Sequence, residues 1–316
     1  MKRQIESVHK TVLLNETIDG LNLNSGSLVV DCTFGGGGHS AEICKRYKGV
    51  KIIALDQDKS AFKKAKAKFE KLDCDISFIN TNFADLDKVF SQKKDFGEKV
   101  NGMIFDLGLS SDQLENSGRG FSFMKDEPLL MTMKEPARPH DEGAGGNPSE
   151  YLLTARDIVN TWAETSLADI IFGYGEEKLS RRIARAIVDA REQAEIKTTF
   201  DLVKIIEGAV GRAYKKQKVH CATRTFQALR IAVNDELGVL ERGLSKGFEI
   251  LGERGRMAVI SFHSLEDRIT KKFFKKLEKE KRAILINKKP ILATVEEIKN
   301  NPRSRSAKLR VLEKVN

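Results

Sequence analysis

The sequence predicts a doubly wound α/β fold interrupted by a helical insertion. Three observations carry this. Leu28-Val29-Val30-Asp31 is a short β-branched run ending in an acid. Four glycines follow (Gly35–Gly38), then a helical segment from Ser40, then a second apolar run (Val50–Leu55) that ends on Asp56. This is a βαβ unit with a glycine turn. Two more strand patterns follow, Asp75–Asn80 and Val100–Leu107, the latter carrying Asp106 near its end. Strands one, two and four therefore each end on an acid, at the rim where open α/β sheets hold ligands. Three like charges on one rim oppose one another, so stability alone does not account for them. Finally, the alternation stops from about Asp112 to Gln217 and resumes afterwards with a helix and a fifth strand.

Between strands two and three, Ser60–Leu72 has Phe62, Ala65 and Phe69 at helical spacing. The interruption opens with a Gly/Ser/Pro-rich stretch, 118–148, in which Arg138–Pro148 reads as a flexible surface loop. Helices are then expected over Asp157–Phe172, Glu176–Gln193 and Asp201–Tyr214. Thr223–Gly243 reads as one long helix and Gly255–Phe262 as strand five. A helix over 264–281 leads to two closing strands, Arg282–Pro290 and Ser306–Lys314. The expected organisation is a core, first part, at 1–112, an inserted helical domain for substrate recognition at 113–217, and the second part of the core at 218–316.

Gly35 and Asp56 are 21 residues apart, the separation with which a glycine turn approaches a nucleoside cofactor and a distal acid takes its ribose hydroxyls. Gly36-x-Gly38-x-x-Ala41 also fits a dinucleotide fingerprint, but a tetraglycine matches many glycine patterns. Asp31 argues against that reading. A carboxylate beside the turn repels a pyrophosphate and suits a cofactor bearing an ammonium and a sulfonium, as S-adenosylmethionine does.

With 40% apolar and 32% charged residues the chain has material for a core, and its apolar runs fall far below the ~18 residues of a membrane span. The polar start, Met1–Glu6, shows no secretory signal. The four cysteines form no C-x-x-C pair, so free thiols in a cytoplasmic protein are expected, with no metal site. The net charge of +10 is concentrated. Residues 271–316 hold 15 Lys/Arg against 5 Asp/Glu, and the remaining 270 residues sum to zero. A basic end on a neutral body fits a polyanion, and Arg303 and Arg305 with small polar spacers favour RNA.

Candidate chemistry clusters at strand ends. His263 follows strand five and is a candidate base or hydrogen-bond donor, with a structural role open beside it. His39, at the glycine turn, is read as a cofactor contact. Ser110 follows strand four. Arg224, near a helix start, suits a phosphate or a capping role. Phe121 and Phe123, in Arg119–Met124, would either stack an unpaired base or anchor the insertion.

These segments together resemble one family. The carriers are His9–Leu14, Thr33-Phe34-Gly35-x-Gly37-Gly38-His39-Ser40, Asp106-Leu107-Gly108-x-Ser110-Ser111-x-Gln113 and Arg119-Gly120-Phe121-Ser122-Phe123-Met124. Tyr174–Glu177, Ala222–Ala228, Ser261–Arg268 and Asn301–Ser306 continue the series. In this order they resemble the bacterial small-subunit ribosomal RNA cytosine-N4 methyltransferases (the RsmH, or MraW, family). The resemblance implies a Rossmann-like class I S-adenosylmethionine-dependent fold and methylation of one cytidine in the decoding region. It implies that Asp31, Gly35, Gly37, Gly38, His39, Asp56, Phe83, Asp106 and Gln113 line the cofactor, with Phe83 on the adenine. Asp106, Ser110 and His263 are then the candidate catalytic groups, and Arg119, Phe121, Phe123, Arg224, Arg303 and Arg305 the RNA contacts. The partner is small-subunit RNA, no membrane is involved, and a homodimer is allowed. One departure stands out. Where the family has Pro-Leu-Asp-Met-Arg-Met-Asp, this chain has Pro128-Leu129-Leu130-Met131-Thr132-Met133-Lys134. That keeps a second reading open, a non-catalytic ribosome-assembly or RNA-binding factor with a retained cofactor site.

Overall fold

The computed structural model describes residues 10–72, 74–92, 99–134, 152–211, 214 and 219–315. The expected Arg138–Pro148 loop, His9 and the polar start lie outside them. The chain divides into two compact units, Ser111–Glu236 and the residues on either side of that segment.

In the first unit, the described strands form one sheet: β1 (Leu28–Asp31), β2 (Lys51–Asp56), β3 (Asp75–Asn80), β4 (Val100–Asp106), β5 (Leu251–Ser261), β6 (Ala283–Leu285), β7 (Ile291–Leu292) and β8 (Lys308–Lys314). The order is β3-β2-β1-β4-β5-β8-β6, with β7 paired to β8. The first five are parallel, and β8 runs antiparallel to β5. The expected doubly wound α/β sheet is present, and its direction reverses between β1 and β4, where such sheets open a crevice.

Burial on both faces explains why these strands read as unbroken apolar runs. Alternate residues feed separate cores. Val29, Ile52, Ile104 and Ile260 join one with Phe34, Phe62 and Phe69. Val30, Ile53, Phe105 and Val259 join the other with Leu240, Leu244 and Phe248 of the helix Glu236–Ile250.

The second unit is helical. Two of its expected helices are broken. Asp157–Phe172 is instead Ala155–Thr161 and Glu164–Gly173, because Trp162 is extended and Arg191 Nη1 caps the carbonyls of Val159 and Trp162 at 2.9 and 2.7 Å. The single helix expected over 223–243 ends at Asn234. Asp235 turns left-handed (φ 46°) and a new helix starts at Glu236. Asp tolerates that backbone better than most residues. The second unit accordingly runs to Glu236 rather than to 217.

The expectation of four free thiols is overturned. Cys44, on the helix Gly38–Arg46, is disulfide-bonded to Cys74 just before β3, with Cα atoms 5.5 Å apart. The pairing joins residues 30 apart in sequence, a proximity that only the packing of that helix beside β3 creates. Cys32 and Cys221 are free and buried.

Phe248 is 1% exposed, and its ring receives Arg282 and Lys314, each at 5.0 Å. Phe248→Ala is expected to cost about 3–5 kcal/mol through the lost contacts and the cavity, read as a lower denaturant midpoint for the first unit.

Candidate active site

Three loops of the first unit converge at the carboxyl ends of the strands. The glycine turn is shaped by β2. Gly35 N–H donates to Asp56 Oδ2 at 2.8 Å, and Phe34 N–H to the Leu55 carbonyl at 2.9 Å. Gly35 and Gly37 have φ of +50° and +65°, a backbone that side-chain-bearing residues rarely adopt. The post-β4 loop lies alongside, since a Cβ on Gly35 would be 3.7 Å from that of Ser110. The third loop follows β5: the Phe262 ring covers Gly108 so closely that a Cβ there would come within 2.8 Å.

Two of the turn's glycines serve the chain's own packing. A Cβ on Gly37 would lie 2.4 Å from the Phe34 ring, and one on Gly38 only 1.7 Å from Thr11 Oγ1. The sequence reading assigned all of them to cofactor approach. For these two, the clash that excludes a side chain is internal, and any ligand contact is through the backbone.

The acids divide by depth. Asp31 pairs in register with Ile104, so Asp106 lies two residues further toward the rim on the neighbouring strand. Asp31 is 2% exposed and accepts from Ser40 Oγ at 2.6 Å and from Thr33 N–H at 3.3 Å. Burial pushes its carboxyl up to about 6, against the lowering effect of those hydrogen bonds. Asp31 thus lies in the interior, below the rim. Asp106 keeps 23% of its side chain open, yet its Oδ1 is shut from solvent and has no hydrogen-bond partner among the described residues. Burial first, then the nearby Asp31, push it up to about 7. His39 Nδ1 is 3.8 Å from its Oδ2, too long for a hydrogen bond.

Asp56, assigned to ribose hydroxyls, already accepts from Gly35 and Asp58 N–H groups, both at 2.8 Å. Phe83 is half-buried and edge-on to Phe105 at 5.3 Å. It is pressed against Gly243, where a Cβ would come within 2.3 Å of the ring.

His263 differs from the expectation of a base. It caps the helix Ser264–Lys279: Nδ1 accepts from Glu266 N–H at 3.4 Å, and Glu266 Oε2 accepts from Phe262 N–H at 2.8 Å and His263 N–H at 3.3 Å. In the neutral ring this leaves the proton on buried Nε2, 3.1 Å from Glu266 Oε1.

In the second unit, the expected RNA contacts have other partners. Arg119 is 7% exposed. Its Nη1 donates to the Thr132 and Met133 carbonyls at 3.0 and 2.9 Å, and its guanidinium lies 5.4 Å from the Phe121 ring. Phe121 is also 7% exposed, so both residues pack inside the second unit. Phe123 stacks on His220 at 4.9 Å. Arg224 Nη1 faces buried Glu177 at 3.6 Å and donates to the Tyr214 hydroxyl at 3.4 Å, so its charge is partly balanced. Gln113 is half-buried on the helix Ser111–Asn116. In the departing segment, Thr132 is buried and its hydroxyl has no partner among the described residues. In the first unit, Arg303 is half-buried and Arg305 exposed.

Sequence reasoning missed Ser40 and Thr33, whose hydroxyls hold Asp31 and the Asp106 N–H (the latter at 2.6 Å), and missed Thr11 and Glu266. The polar residues flanking the tetraglycine were the available signal.

The raised carboxyls fix a pH dependence. A proton that stays on Asp106 until about pH 7, but leaves the unfolded chain near 3.8, stabilises the folded state at acid pH and is lost as pH rises through 7. Ligand-free stability is expected to fall between about pH 4 and 7, with a shallower fall in Asp106→Asn, in denaturation midpoints taken across that range.

Comparison with known proteins places the chain in a family. The family model described as the MraW methylase family matches residues 6–315. A protein of Finegoldia magna called ribosomal RNA small subunit methyltransferase H is 41% identical, over 98% of this chain and 100% of its own length. A Clostridium botulinum protein of the same name is 43% identical with the same coverage. A solved rRNA methylase from Streptococcus thermophilus aligns with a TM-score of 0.43 at 12% identity, over 97% of this chain and 98% of its own. With nearly every residue spanned and identity above 40%, the chain belongs to the MraW methylase family.

Proposed function

We propose that this protein transfers a methyl group from S-adenosylmethionine to the N4 amine of a cytidine in small-subunit ribosomal RNA. The observation that carries the reading is Asp106: a buried, unpartnered carboxylate oxygen next to a second buried acid, at the crevice of a doubly wound sheet. Such a rim rejects a pyrophosphate and suits a cation. The family's relatives, named as small-subunit ribosomal RNA methyltransferases, support the acceptor.

The residues fit this donor. The orphaned Asp106 Oδ1 calls for a positive charge, Asp56 stands at the end of β2 beside the glycine turn, and Phe83 is a rigid apolar ring braced by Phe105 and Gly243. When bound, S-adenosylmethionine supplies an electrophilic methyl group on a cationic sulfur.

The chain's own part is electrostatic and positional. The cytosine N4 lone pair is delocalised into the ring, so the amine must be oriented and its proton removed. Asp106 is ionised while a cation lies beside it. As N4 gains the methyl group, the positive charge passes to the amine, and the buried surroundings return the carboxyl's proton affinity toward neutrality. Asp106 then accepts the N4 proton. Ser110, against the glycine turn, is placed to orient the amine. His263 and Glu266 hold the post-β5 loop in shape. Positioning supplies much of the remaining acceleration.

Small subunits from a strain lacking this methylation, incubated with the protein and labelled S-adenosylmethionine, are expected to carry label in N4-methylcytidine at one site. Asp106→Asn is expected to lower the rate by about 100-fold or more. Donor binding without transfer would favour the binding-factor reading, to which the altered Leu130–Lys134 segment points. No donor binding would refute the site.

A further inference from the structure

The basic C-terminal stretch separates into two populations. Some of its cations are committed to the fold. Lys308 and Arg310 share Asp267 at 3.3 and 2.7 Å, and Arg282 pairs with Glu249 at 2.8 Å. Lys314 Nζ donates to the carbonyls of Phe248 and Leu251 at 2.8 and 2.6 Å. These residues hold the last strands and have little charge to offer a partner.

The helix Ser264–Lys279 is different. Leu265, Thr270, Phe274 and Leu277 are buried. On the other side, Lys271, Lys272, Lys275, Lys276 and Lys279 are exposed. Lys276 meets Glu280 at 4.0 Å, with its own side chain 72% exposed. Lys271, Lys272, Lys275 and Lys279 have no carboxylate within ion-pair distance among the described residues. Lys271, Lys275 and Lys279 recur every fourth residue, a row with steps of about 6 Å. Like charges at that spacing repel, so the row costs the helix stability. It gains nothing inside the protein to offset that.

The helix begins at His263, on the rim that carries Asp106. From there to Lys279 it is about 24 Å long. A line of uncompensated cations leading away from a catalytic rim is a track for a chain of phosphates. We propose that the lysine face of Ser264–Lys279 binds the phosphate backbone of the RNA strand next to the target nucleotide. This rests on the reading of the site as one that acts on RNA. It assigns the contact to lysines of the basic end, from which sequence alone singles out Arg303 and Arg305.

The test compares Lys271→Gln/Lys275→Gln/Lys279→Gln with wild type in binding small-subunit RNA across salt concentrations. Lys63→Gln/Lys66→Gln, on the exposed side of another helix, is the control. The track predicts that the slope of log affinity against log salt becomes shallower by about 2 for three lost single-strand phosphate contacts. Affinity near physiological salt should fall about tenfold or more, while S-adenosylmethionine affinity and kcat at saturating subunits are retained. A slope matching wild type and the control overturns the proposal. So does a loss of affinity with an unchanged slope, which indicates a damaged fold. Because binding is measured without turnover, failure of the wild-type protein to methylate, with the slope change intact, would count against the proposed reaction and leave the track standing.

Discussion

Two carboxylates withdrawn from water at the ends of adjacent parallel strands set the terms for this molecule. Ionising Asp31 is opposed by burial and by Asp56, and ionising Asp106 by burial and by Asp31. Asp31, the deeper, is supported by the Ser40 hydroxyl and the Thr33 N–H. Thr33 turns its own hydroxyl to the Asp106 N–H, so one residue ties the two strand ends together. Asp106 keeps a shielded Oδ1 that has no hydrogen-bond partner among the described residues. The glycine turn, fastened to Asp56 from β2, gives the rim its open side. A protein gains little stability from such a rim, and a cationic ligand gains a counter-ion already in position.

Much of this is legible in the sequence because it depends on local pattern. The β-branched run, the tetraglycine, the 21-residue spacing to Asp56 and the acid after each strand locate the sheet, its reversal and the rim. What escapes depends on tertiary packing. No periodicity marks that Asp235 turns left-handed, or that Arg191 reaches back to end a helix at Trp162. Gly38 reads as a ligand cradle, whereas the side chain it makes room for is Thr11. His263 has the composition of a catalytic base and the geometry of a helix cap, because Glu266 lies three residues on and completes a capping box. Arg119 and Phe121 read as RNA contacts and are packed on each other in the interior. The Cys44–Cys74 pair needs the helix docked beside β3 before either thiol finds the other.

Charge shows the same limit. Composition locates the positive excess in the last 46 residues, yet not which cations are spent on carboxylates and carbonyls. The fold makes that division, fixing Lys308, Arg310 and Lys314 within the sheet's antiparallel edge and leaving to solvent the lysine row of one helix together with Lys281, Lys288, Lys289 and Lys299.

The central claim is that Asp106 exchanges a proton for a cationic ligand. Calorimetry of S-adenosylmethionine binding near pH 6, in buffers of different ionisation enthalpy, measures that exchange directly. With Asp106 holding its proton until about pH 7, binding is predicted to release close to one proton, declining toward zero above pH 8 and absent in Asp106→Asn. Binding with no proton release at any of these pH values would contradict the account.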